Sequence, residues 1–149
     1  MLILQPTKIL EDKVITKMSH VSIFVLDQEE AKQFYTEKLG FVVKMDQKMD
    51  GGFRWLTVCP KEQPELEIIL MGIGPGPMMD EKSSEQLKEL VKSGKLGAGA
   101  FSTNDCMATY EELKAKGVEF FYPPKQQFYG IETLFKDNSG NWFSLNQPV

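Results

Sequence analysis

Histidine is nearly absent from this chain, since His20 is the only one among 149 residues. Any Ser/His/Asp or Cys/His catalytic arrangement must therefore use it, and nothing around Ser102, Ser139, Cys59 or Cys106 resembles a nucleophile turn. Cysteine is scarce too. Cys59 and Cys106 lie far apart without metal or redox spacing, which predicts two reduced, buried thiols in a cytoplasmic protein. No apolar run approaches the roughly 18 residues of a membrane span. The opening Met1-Leu2-Ile3-Leu4-Gln5-Pro6 is too short, and lacks the basic lead, for a signal peptide. Positive charge is not in excess. A net charge of −4 with no basic patch argues against nucleic acid or an anionic membrane as a partner.

What is present is one pattern written twice. Each copy begins with a short apolar run closed by aspartate: His20-Val21-Ser22-Ile23-Phe24-Val25-Leu26-Asp27, then Ala98-Gly99-Ala100-Phe101-Ser102-Thr103-Asn104-Asp105. Ala31 matches Ala108, Gly40 matches Gly117 and Glu67 matches Ser144 at one constant offset, while Asp27 and Asp105 are one residue further apart. A one-residue slip before the second helix accounts for the difference. A repeat of this length suits a duplicated module rather than a solenoid.

Asp27 stands where an N-cap belongs, with Glu30 as its capping-box partner. Ala31, Phe34, Tyr35 and Leu39 form the buried stripe of a helix that Gly40 ends, and Asp105, Cys106, Tyr110, Leu113 and Gly117 repeat the design. Strands are predicted at 40–48, 52–59 and 65–71, then at 118–122, 129–136 and 141–147. Between the copies, Gly72-Ile73-Gly74-Pro75-Gly76-Pro77 leads to a helix at 84–93, with Ser83 and Gln86 as its capping box and Gly94 as its stop. Pro75 and Pro77 lack the N–H donors that a phosphate-binding loop requires. The expected fold class is α+β: two tandem β-α-β-β-β modules, at about 18–71 and 97–148, joined by a bridge with a helix at 72–96. They form one domain over 18–149. Residues 1–17 precede it as an added strand, an interface arm or a disordered lead.

The doubled order, the Gly117-Val118-Glu119-Phe120 run after the second helix and the Asp137-x-x-Gly140-Asn141 turn resemble the glyoxalase/bleomycin-resistance/dioxygenase group, the vicinal oxygen chelate superfamily. The resemblance implies a curled, cavity-enclosing mixed sheet and, in metal-dependent members, ligands on the first and last strands of each module. Here those places fall on His20 and Glu67, then on Ala98 (or Gly97, given the slip) and Ser144. Imidazole and carboxylate suit Zn, Ni, Fe or Mn. Ala98 and Gly97 offer no donor, and Ser144 only a neutral hydroxyl.

Two readings stay open for these residues. His20 is a core or cavity histidine, or a metal ligand and catalytic acid/base with Glu67. Glu65 and Glu67 share one face of a strand, which is either solvated or lines the cavity; Glu132 is a candidate third carboxylate. Phe53 and Trp55, Tyr129 and Ile131, and Trp142 and Ser144 alternate along their strands and are expected either to line a cavity or to pack the core. The leading functional reading is a protein that binds a small, partly aromatic or apolar molecule without a tightly held metal. The alternative is a metal-dependent glyoxalase-type lyase or isomerase, or an oxygenase. The resemblance also implies a homodimer. Lys44, Lys48, Arg54, Lys125 and Lys136 give no recognisable phosphonate-binding set.

Overall fold

The computed structural model describes residues 14–149, so most of the expected N-terminal lead lies outside the described residues. From residue 15 to Ser19 the chain forms neither strand nor helix.

Apolar alternation builds two four-stranded mixed sheets. The first holds β1 (His20–Val25), β2 (Val42–Lys48), β3 (Arg54–Cys59) and β4 (Glu67–Gly72) in the order β1-β4-β3-β2. The second holds β5 (Gly97–Ser102), β6 (Lys125–Gln127), β7 (Gly130–Lys136) and β8 (Trp142–Pro148) in the order β5-β8-β7-β6. In both, the first and last strands pair parallel and the others antiparallel.

Helix α1 (Gln28–Gln33) starts where Asp27 accepts the Glu30 N–H at 2.8 Å. It then widens into a π turn over Phe34–Lys38, whose last bond runs from Leu39 N–H to the Phe34 carbonyl. Gly40 follows at φ +76, a left-handed conformation. Helix α3 (Cys106–Ala115) is capped by Asp105, which accepts the Ala108 N–H at 3.0 Å, and is followed by Gly117 at φ +91.

Two expectations are corrected. Helix α2 spans Glu81–Lys92 and is capped by Asp80, which accepts the Ser83 N–H at 2.7 Å, so Ser83 lies inside the first turn. Any residue with a short acceptor can fill the cap, and Asp80 does so three positions earlier. The strand expected at 118–122 is only a bridge between Phe120 and Phe135, and pairing resumes as β6. Pro123 and Pro124 break it, because neither can donate to a ladder.

The helix-bearing faces of both sheets share one core. Ile23, Val25, Leu56, Val58, Ile68 and Leu70 of the first sheet join Phe135, Phe143 and Leu145 of the second, with Ala31, Phe34 and Tyr35 of the first helix between them. Tyr35 meets Phe143 edge to face at 6.5 Å, and Phe41 meets Phe101 at 5.4 Å. Asp137 ties the modules together. Its Oδ2 accepts the Tyr35 hydroxyl at 2.7 Å, and its Oδ1 accepts the N–H groups of Ser139, Gly140 and Asn141. The Asn141 amide then donates to the Phe24 carbonyl at 2.8 Å.

Asp46 on β2 clamps the rim of the first sheet. Arg54 Nε and Nη2 reach its two oxygens at 2.8 Å each, and Lys32 joins at 2.8 Å. The Arg54 and Lys32 hydrogen bonds hold the Asp46 carboxyl well below the usual carboxylate range. A lowered folded pKa contributes stability above the unfolded value of about 3.9 that is lost as the pH falls toward the folded one. Asp46→Asn is expected to cost about 1 kcal/mol at neutral pH, with the difference shrinking steadily below about pH 4. Urea unfolding at pH 7 and pH 2.5 checks this; equal losses at both would contradict it.

Candidate functional site

Strand alternation leaves each sheet a second face, opposite the core. On the first sheet this open face carries His20, Ser22 and Phe24 of β1, Glu67, Ile69 and Met71 of β4, and Trp55 and Thr57 of β3. On the second it carries Ala100 of β5, Glu132 and Leu134 of β7, and Trp142 and Ser144 of β8.

His20 and Glu67 are directly paired across the β1–β4 ladder, and His20 Nε2 lies 3.2 Å from Glu67 Oε2. The Thr57 hydroxyl donates to Glu67 Oε1 at 2.8 Å, and Ser19 Oγ lies 2.9 Å from His20 Nδ1. Beside them the Trp55 ring stands 6.1 Å from both the His20 and the Phe53 rings. The pair is accessible: the side chains of His20 and Glu67 are 38% and 26% exposed. Of the two glutamates on this stretch, Glu67 is therefore the one in the strand and against the histidine; Glu65 precedes β4.

The second sheet repeats this arrangement with the chemistry exchanged. Glu67 pairs with His20 in the first ladder, and Ser144 pairs with Ala100 in the second. By ladder position Ala100, rather than Ala98 or Gly97, is thus the counterpart of His20, because a bulge lies between Gly97 and Gly99. Thr57 faces the residue two beyond Glu67, and Glu132 faces the residue two beyond Ser144. Hydroxyl on the third strand and carboxylate on the fourth in one module become carboxylate on the third and hydroxyl on the fourth in the other. Ser144 Oγ donates to Glu132 Oε2 at 2.7 Å, and the Tyr129 hydroxyl donates to Glu132 Oε1 at 2.5 Å. That bond to Glu132 raises the Tyr129 pKa; burial first, then the Glu132 charge, raises that of Tyr122.

Trp142 lies over Gly97. A Cβ added at Gly97 would come within 2.5 Å of the indole, so a side chain at the head of β5 and this ring cannot share the space. Ile131, on the other hand, packs against the shared core, and Thr133 is buried on that same side. Phe53 is exposed at the edge of β3, and Tyr129 reaches the open face through its hydroxyl.

Within one chain the donor set does not complete the metal centre that the resemblance implies for metal-dependent members. His20 and Glu67 supply two ligands, Ala100 supplies none, the Ser144 hydroxyl is already committed to Glu132, and Glu132, the candidate third carboxylate, stands on the other sheet of the same chain. Among the described residues no three His, Cys, Asp or Glu side chains gather as a metal-binding group. Two ligands leave a divalent ion short of the three that catalytic zinc sites normally keep. Cys59 and Cys106 are free and buried. Among the described residues no helix is long and apolar enough to cross a membrane.

The sequence model of the Glyoxalase/Bleomycin resistance protein/Dioxygenase superfamily matches residues 17–145. The chain belongs to this superfamily. It is 37% identical to the uncharacterized protein YetH of Bacillus subtilis (strain 168), over 90% of this chain and 100% of that one. Among solved structures it is similar to UcmS2, with a TM-score of 0.83 and 47% identity over 89% of this chain and 98% of that one. It is also similar to TnmS3, an antibiotic binding protein from Streptomyces sp. CB03234, with a TM-score of 0.72 and 32% identity over 93% and 100% of the two chains. The superfamily membership accounts for the doubled module. It leaves the chemistry to the side chains of the two open faces.

Signals for two of the site's features were weak in the sequence. Glu132 was visible as a carboxylate on a strand, but its tie to Ser144 depends on the β7–β8 register. The Trp142 ring over Gly97 depends on a parallel pairing that no local pattern encodes.

Proposed function

We propose that this chain is a homodimeric binding protein that sequesters a planar, mainly apolar small molecule without a tightly held metal. The open face of the first sheet in one protomer and the open face of the second sheet in its partner form the walls. Trp55, Phe53 and His20 offer ring surface on one wall, and Trp142 and Tyr129 on the other, while Glu67, Glu132 and Ser144 supply the polar contacts. Such a mixture of aromatic walls and few polar groups is what small-molecule cavities use. Val42, Met45, Phe53 and Tyr129 are exposed in the single chain, which fits a surface that a second copy covers.

The observation that carries this reading is the exchanged donor pattern: a methyl at Ala100 and a committed hydroxyl at Ser144 where a metal would need ligands. The likeness to an antibiotic binding protein across nearly the whole chain supports it. The second reading, a glyoxalase-type lyase or isomerase or an oxygenase, rests on the direct His20 and Glu67 pairing.

Protein purified without chelator is expected to sediment as a dimer, to hold well under one transition metal per chain, and to quench its tryptophan fluorescence on adding a polycyclic aromatic compound. About one zinc, nickel, iron or manganese per chain, lost in His20→Ala, would instead establish the metal-dependent reading.

A further inference from the structure

We infer that the Glu132 carboxylate is the polar anchor of the ligand site, and that it selects aromatic molecules carrying an ammonium or a hydroxyl and rejects anionic ones. This rests on the binding function proposed above and names the ligand class for the same site.

Glu132 stands on the open face in the middle of β7, between Tyr129 and Ser144. Both neighbours donate to it, one to each oxygen, which fixes the carboxylate plane. A carboxylate oxygen has two acceptor positions, so each still has one free. Preorganised acceptors of this kind need no rearrangement when a donor arrives. Glu67 is held likewise by Thr57 and His20. The fixed polar groups of the two open faces are therefore dominated by acceptors.

Two lysines on the same sheet as Glu132 make other contacts. Lys125 is its cross-strand partner, yet its ammonium sits 4.2 Å above the Tyr122 ring. Lys136, on the same strand, lies 3.4 Å from Glu119 and over the Phe121 ring. Arg54 points to the other side of the first sheet, where Asp46 and Glu29 hold it. On these faces an anionic ligand would meet two fixed carboxylates, whereas a ligand ammonium would form a charge-assisted bond with Glu132. Tyr129 puts ring surface beside that carboxylate, and Trp142, lying over Gly97, adds a ring farther along the same open face.

The test uses three ligands of one shape: naphthalene-2-methanamine, naphthalene-2-methanol and naphthalene-2-carboxylate, titrated calorimetrically into the intact protein at pH 7. The amine is expected to bind at least about tenfold more tightly than the carboxylate, with the alcohol between them. In Glu132→Gln, which keeps the shape but accepts from only one of Tyr129 and Ser144 and turns its amide N–H toward the other hydroxyl oxygen, the amine preference should fall to about twofold. The wild-type ranking is informative without the variant. A carboxylate that binds as tightly as the amine, or a preference that survives in Glu132→Gln, overturns the anchor while leaving the binding function standing. No binding by any of the three overturns both.

Discussion

Asp137→Ala is expected to destabilise the fold by about 3–5 kcal/mol, enough to unfold a large share of a marginally stable domain at growth temperature. Asp137 is buried, and five donors converge on it: the Tyr35 hydroxyl, the N–H groups of Ser139, Gly140 and Asn141, and the Asn141 side-chain amide. Alanine leaves the Tyr35 hydroxyl and the Ser139 and Asn141 N–H groups without that partner, while the Gly140 N–H keeps the backbone carbonyl of residue 137 and the Asn141 amide keeps Phe24; an unsatisfied buried donor costs about 1–3 kcal/mol. The loss falls on the junction of the modules, because Tyr35 comes from the first and the turn from the second. Asn141 also donates to Phe24, and Ser139 Oγ accepts the Leu26 N–H at 2.9 Å, so a slackened turn releases the end of β1 as well.

Tyr35→Phe separates the parts of this effect. It removes one donor and leaves Asp137 with its four bonds from the turn, so the expected cost is only about 1 kcal/mol. Burial first, and the Asp137 charge second, hold the Tyr35 phenol well above its usual range, which keeps it a neutral donor throughout ordinary pH. Guanidinium unfolding of both variants gives the comparison. If Asp137→Ala loses no more than Tyr35→Phe, the turn's backbone bonds carry little of the load and this account of the junction fails.

These contacts show where local pattern stops being informative. Caps and helix stops are local: Asp27 and Asp105 sit three residues from the N–H groups they accept, and Gly40 and Gly117 stand where the chain must turn left-handed. Such features read directly from spacing, and so does the alternation that separates Leu56 and Val58 from Trp55 and Thr57. The fold class follows from them. The break at Pro123 and Pro124 was readable in principle, since missing donors are a property of the residues themselves. By contrast, the bond from Tyr35 to Asp137 spans most of the chain, and the one from Asn141 to Phe24 spans more. Only the packing of the modules creates them.

The candidate site divides along the same line. His20 and Glu67 could be named because each falls at a position that the family resemblance marks, and the ladder then sets them side by side. The exchange of carboxylate and hydroxyl between the modules could not, because Glu132 lies on a different strand from the position that Ser144 inherits. Strand register decides which side chains meet diagonally, and a shift of a single residue, such as the bulge at Gly97 to Gly99, changes the answer.

Trp55→Ala is expected to weaken binding of a polycyclic aromatic ligand by roughly 30-fold, or about 2 kcal/mol. The ring stands between Phe53 and His20 on the open face of the first sheet, its backbone paired with Gln47 of β2. It belongs to the partly buried face rather than the core cluster that holds Leu56 and Val58, so its removal should cost less stability than a core deletion. Affinity and stability therefore separate, which a collapse of the fold would not allow. Trp55→Phe should recover most of the binding, to within about fivefold of the original, because a planar ring can still stack. Trp55 is one of two tryptophans, so its removal alters the fluorescence signal itself and calorimetry is the cleaner measurement. If Trp55→Ala binds within about twofold of the original chain, the first sheet does not form a wall of the site. The ligand would then rest on the second sheet alone, where Tyr129 and Glu132 are in contact and Trp142 lies farther along the same face.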